Sequence, residues 1–204
     1  MAEPAYALPE LEDRERWPVQ GQWTWEDYLR LPENGKRYEI IEGVLHVAPA
    51  PTFDHQFSVV ELLAEMHRFV KTHRLGLVLT APFDVRLPGV ANPVQPDVVF
   101  FRTGNEPRAG DKQFLGVPDL IVEVLSPGSL RVDREVKLAA YEKAGVSEYW
   151  LVDNQPRSIT VYTLRGERRG YEELGRFRAH EKVRSAVLAG FETAVAPLFP
   201  PRRG

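Results

Sequence analysis

Leu120-Ile121-Val122-Glu123-Val124-Leu125 is an apolar run, β-branched or leucine throughout, interrupted by one carboxylate. Such a run reads as a strand buried on both faces at the centre of a sheet. In that setting Glu123 costs free energy unless it is paired, protonated or bound to a cation. Upstream, Pro96-Asp97-Val98-Val99-Phe100-Phe101 opens a second such strand on an aspartate. Two neighbouring strands can then each offer a carboxylate to one cleft. A divalent cation such as Mg2+, which takes one or two carboxylates plus waters, relieves their repulsion. Each acid also has a plainer reading: Asp97 as a turn or cap residue, and Glu123 in a buried ion pair with an arginine.

Downstream of Glu123, the loop Ser126-Pro127-Gly128-Ser129 leads into a helix expected from about Arg131 to Lys143, stopped by Gly145. Lys137 and Asp133 sit one turn apart on it, and a helix packing back on the sheet brings the Lys137 ammonium toward the carboxylates. The alternative for Lys137 is a solvated surface lysine. Further elements follow from local chemistry. Thr24 ahead of Trp25, Glu26 and Asp27 predicts a capped short helix. Tyr38 to Val47 reads as a hairpin around Glu42-Gly43. His55 to His73 has the three- and four-residue spacing of an amphipathic helix, ended by Gly76. One strand is expected from Leu77 to Leu87, and others at 97–101 and 119–125, separated by Pro/Gly-rich turns. Tyr149 to Val152, Ser158 to Leu164, Gly170 to Leu174 and a stretch near Val187 read as antiparallel strands. The sum is an α/β or α+β protein with a sheet flanked by helices.

Composition narrows the chemistry. The chain has 204 residues, 27% of them charged, and a net charge of −3, which argues against a charge-driven nucleic-acid coat while leaving a local basic cleft open. There is no cysteine, so a metal would be held by carboxylate, histidine or backbone oxygen. The five histidines show no helical ligand pair. No phosphate-cradling glycine loop and no Gly-x-Ser-x-Gly elbow is present, which leaves nucleotide and serine hydrolases unsupported. Residues 1–21 read as a poorly ordered leader and 22–204 as a single domain. No stretch approaches the ~18 apolar residues of a membrane span, so the expectation is a cytoplasmic protein.

Several motifs occur in one order: Arg37-Tyr38-Glu39-Ile40-Ile41-Glu42-Gly43, then His55, Gln95-Pro96-Asp97-Val98-Val99, and Pro118 through Pro127. Asp133-Arg134-Glu135-Val136-Lys137, Tyr141, and Gly145 through Asp153 complete the series. This pattern, covering roughly residues 22–165, resembles the Uma-two family of restriction-endonuclease-like proteins. The resemblance implies the PD-(D/E)XK nuclease fold, a central mixed β-sheet flanked by helices, and a DNA endonuclease activity dependent on Mg2+ or Mn2+. Asp97 resembles the family's first metal-binding aspartate and Glu123 the acid of the second motif. The parent pattern has a lysine two residues after that acid. Here Leu125 occupies the place, and Lys137 on the following helix is the position that matches.

The resemblance further implies a metal site of Asp97 and Glu123, joined by the Val124 carbonyl and by Glu39 through water. Glu61 is a weaker rival for the place of Glu39. His55 and Tyr141 are accessory candidates; a helix-start histidine bonding its own backbone is the alternative for His55. DNA is the implied partner, with a homodimer suited to cutting both strands. The reading of a different class is a catalytically inactive nuclease-like module that binds nucleic acid or protein, for which Leu125 and the acidic balance speak.

Overall fold

The computed structural model describes residues 17–166 and 170–201. Of the leader expected over 1–21, residues 1–16 lie outside the described residues, whereas 17–21 are bound into the fold. Gly21 N–H donates to Gly43 O (2.8 Å), the Gln20 side-chain amide bonds both backbone groups of Leu45, and Trp17 stacks on Trp23. Helix α1 (Trp25–Tyr28) starts at Thr24 with the expected cap, here a reciprocal box in which the Asp27 carboxylate answers the Thr24 N–H at 3.1 Å. Strands β1 (Arg37–Ile41) and β2 (Val44–Ala48) form the expected hairpin, and α2 (Phe53–His73) the long helix.

The stretch 77–87 is not one strand. Ala81-Pro82-Phe83 divides it into β3 (Gly76–Thr80) and β4 (Asp84–Leu87), which enter different sheets. Proline supplies no ladder donor, and it is where the chain changes sheet. Gly76 does not stop α2 either. Arg74 adopts the left-handed cap (φ 53°), while Gly76 allows close strand approach: a Cβ there would lie 2.0 Å from Phe101 O. Two short strands fall where only turns were expected, β5 (Ala91–Val94), which contains Pro93, and β7 (Gln113–Leu115).

The main sheet has six strands in the order β11-β10-β9-β8-β6-β3, with β6 at Val98–Arg102, β8 at Leu120–Val124, β9 at Glu148–Asp153, β10 at Ser158–Leu164 and β11 at Tyr171–Arg178. It is mixed, since β8 and β9 are parallel and their neighbours antiparallel. The crossover between β8 and β9 is a π-helical turn (Val132–Lys137) running into α3 (Leu138–Ala144), capped by Gly145. A second, five-stranded sheet, β2-β1-β5-β4-β7, extends the expected β1–β2 hairpin by three strands and was not itself expected.

Alternation along β6 and β8 divides the core. Val98, Phe100, Leu120, Val122 and Val124 pack with α2 residues Leu62 and Met66. Val99, Phe101 and Ile121 pack on the other side with Val85, Leu87 and Tyr141. Near the end of the described chain, Val187 lies in a loop between β12 (Lys182–Arg184) and β13 (Glu192–Ala194), not in a strand. The reason is Glu148, fully buried, which accepts from the backbone N–H groups of Ala186 (2.6 Å) and Val187 (3.0 Å) and so takes the donors a ladder would have used.

Candidate active site

Register brings the two strand carboxylates together. In the antiparallel β6·β8 pair Val98 faces Val122; one step further, Asp97 comes opposite Glu123, on the face shared by Val99 and Ile121, where directly opposed Cβ atoms lie about 5 Å apart. The Val124 N–H donates to Asp97 Oδ2 at 2.9 Å, which locks the aspartate across the strand end. Both acids are 3% exposed.

Each carboxylate has cationic company. Asp97 receives Arg37 on Oδ1 (3.1 Å) and His55 Nε2 on Oδ2 (3.0 Å). Burial alone would raise the Asp97 carboxyl; the His55 bond, the His55 and Arg37 charges and the Val124 amide outweigh it and hold the group below its ordinary range. Lys137 Nζ lies 3.0 Å from Glu123 Oε1, 2.9 Å from Glu39 Oε2 and 3.6 Å from Asp133 Oδ1. Tyr141 O–H donates to Glu123 Oε1 at 2.8 Å. Even so, burial, with Asp97, Asp133 and Glu39 nearby, pushes Glu123 well above the usual carboxylate range against the pull of Lys137. Burial likewise raises Asp133. Four carboxylates, Asp97, Glu123, Glu39 and Asp133, thus gather around Lys137 and the half-buried Arg37.

The expected residues therefore separate cleanly. Asp97, Glu123, Lys137, Glu39, His55 and Tyr141 converge, with all but Tyr141 lining one cavity of about 20 Å3 together with Val124, room for one water or a single ion. Glu61, partly buried further along α2, does not line that cavity. The imidazole of His55 does not bond its own backbone: Nε2 is on Asp97, and Nδ1 is buried without a hydrogen-bond partner among the described residues. The arginine predicted by the plainer reading exists, but it meets Asp97; Glu123 is met by Lys137 instead.

Arg37 and Asp133 were not assigned roles from sequence. Arg37 was legible in hindsight, because Arg37 and Glu39 are charged residues two apart on a strand, hence on one face. Among the described residues no three carboxylates or imidazoles form a ready-made metal cluster. The ligands on offer are Asp97 and Glu123, hard oxygen donors of the number that Mg2+ accepts alongside water.

A model of the Uma2 family, described as "Putative restriction endonuclease", matches residues 25–196, beyond the span in which the motifs were read. A solved structure from Anabaena variabilis ATCC 29413, of a "putative nuclease belonging to DUF820", superposes with a TM-score of 0.73. The likeness covers 89% of this chain and 98% of that one at 22% identity, and it bears on the fold. No curated protein matches in sequence.

Proposed function

The chain belongs to the Uma2 family of restriction-endonuclease-type proteins, and from that premise we propose that it is a metal-dependent endonuclease hydrolysing DNA phosphodiesters at the Asp97–Glu123 pair. The observation carrying this reading is the placement of Asp97 across from Glu123 at one strand end, with the Lys137 ammonium 3.0 Å from Glu123 in a cavity shared by all three. Asp97 and Glu123 would hold Mg2+ or Mn2+, with Glu39 and the Val124 carbonyl in support. The bound ion supplies Lewis acidity, lowering the pKa of a water and drawing charge from the phosphoryl oxygens.

The chain's own groups do the remainder. Arg37, His55 and the Val124 amide fix Asp97, and Tyr141 fixes Glu123, so that neither carboxylate must reorganise during reaction. Lys137 orients the attacking water or neutralises developing negative charge, a task for a point cation with rotatable donors. Its origin on the crossover helix is immaterial, since only the ammonium position matters. Leu125, at the parent lysine place, is buried in the core beside the second sheet.

The second reading, a nuclease-like module that binds without cutting, is favoured by the same ammonium: Lys137 bonds both Glu123 and Glu39 and so occupies carboxylate oxygens that an added cation would take. One assay separates the two. Plasmid and single-stranded DNA are incubated with Mg2+ or Mn2+, using wild type, Asp97→Ala and Glu123→Ala. The expected outcome is cleavage by wild type alone, falling by at least about 100-fold in either variant. Cleavage unaffected by both substitutions refutes the assignment, and no cleavage by folded wild type favours the binding module.

A further inference from the structure

We propose that the cleft adjoining the carboxylate cavity receives one unpaired nucleotide of a single-stranded DNA; this rests on the nuclease reading and adds the form of the substrate. The cleft encloses about 490 Å3 and shares Arg37, His55 and Asp97 with the small cavity. That volume falls within the range of small-molecule sites and suits a base with its sugar. Pro49, Pro51, Pro82, Ala81 and Val59 give it apolar walls, and the exposed Gln56 adds an amide able to meet a base edge. Lys36, exposed beside Arg37, places positive charge at the mouth, for flanking phosphates, on a chain whose net charge is −3.

The depth of the acids selects the strand form. Asp97 and Glu123 are each 3% exposed, and both line the small cavity of about 20 Å3 that adjoins the cleft. A stiff duplex keeps its bases stacked inside, and extruding one costs a few kcal/mol, whereas an unpaired strand meets no such cost. Only a strand free to bend its backbone inward presents a phosphate to those acids while its base lies in the cleft. Among the described residues no Phe, Tyr or Trp lines the cleft, so stacking is weak and little base preference is expected.

The test is fluorescence anisotropy of the intact protein, in EDTA to prevent cleavage, with a labelled mixed-sequence 20-mer as single strand and as duplex. Two cleft variants are compared: Ala50→Glu, at an exposed wall position outside every helix and strand, and Gln56→Glu, exposed on α2. The single strand should bind at least tenfold more tightly than the duplex, and both variants should lose tenfold or more of that affinity. Each should keep the wild-type rise in melting temperature with Mn2+. Equal or tighter duplex binding, variants that bind the single strand as wild type does, or no binding of either DNA overturns the proposal. Single-strand binding that the variants abolish, in a protein showing neither cleavage nor a Mn2+ shift, upholds the cleft and removes the catalytic reading instead.

Discussion

Glu123 and Asp97 are opposed carboxylates whose titrations run in opposite directions, and the difference is measurable. The fold holds Glu123 above its unfolded value. It therefore contributes nothing below the unfolded pKa of about 4.3 and costs stability as pH rises from there toward its folded value. In EDTA, Glu123→Gln should gain in melting temperature relative to wild type as pH rises above about 5, and a difference that does not change with pH would contradict the assignment. Asp97 is held below its unfolded value. Its contribution is present above about pH 3.9 and is lost as pH falls through the folded value, so Asp97→Asn should flatten only the acid limb. Lys137→Met leaves Glu39, Glu123 and Asp133 buried without their shared cation. Urea unfolding in EDTA should show a loss of about 3 kcal/mol, partly restored by Mg2+. At this scale the sequence was informative where a charge interrupted an apolar run, as at Glu123. It was silent where a residue's partner lay on a remote element, as for Arg37, sixty positions from Asp97.

The crossover element carries the lysine on a π-helical turn, not the regular helix that the spacing suggested. The wider turn faces Asp133 and Lys137 inward together, both buried, while Arg134 and Glu135 stay exposed. Deleting Glu135 should tighten the turn and rotate Asp133 by about 100° relative to Lys137. The expected result is loss of cleavage with the far-ultraviolet circular dichroism spectrum retained. The other elements were legible where local chemistry governs them. Thr24 with Asp27 capped α1, and the helical spacing of α2 was matched within two residues. Strands β5 and β7 were not, because Pro93 argues against a strand and three residues carry no period; they exist because partners in the second sheet hold them. The loop around Val187 was misread for a related reason: its apolar residues face the core while its donors go to Glu148. Glu148→Gln should speed amide hydrogen exchange at Ala186 and Val187 by tenfold or more, with β9 little changed.

Across the whole molecule, the six-stranded sheet is covered on both sides, by α2 with the segment from 183 to 199 on one and by the second sheet with α3 on the other. Val183, Leu188, Phe191, Val195, Leu198 and Phe199 pack into the same cluster as Trp150 and Val161. Fully burying side chains of this size contributes about 1.5–3 kcal/mol each, so their sum is comparable to the entire stability of a domain. A chain ending at Arg178 should therefore lose its cooperative thermal transition, a result readable by circular dichroism. The family match running to residue 196 accords with that dependence.

Glu39 comes from the five-stranded sheet, Glu123 from the six-stranded one, and the Lys137 ammonium touches both. The candidate site is therefore a seam, and it exists only while the two sheets are closed on each other. For the nuclease proposed above, parting the two sheets would dismantle the cluster of carboxylates around the lysine, so that cutting and folding would be lost together.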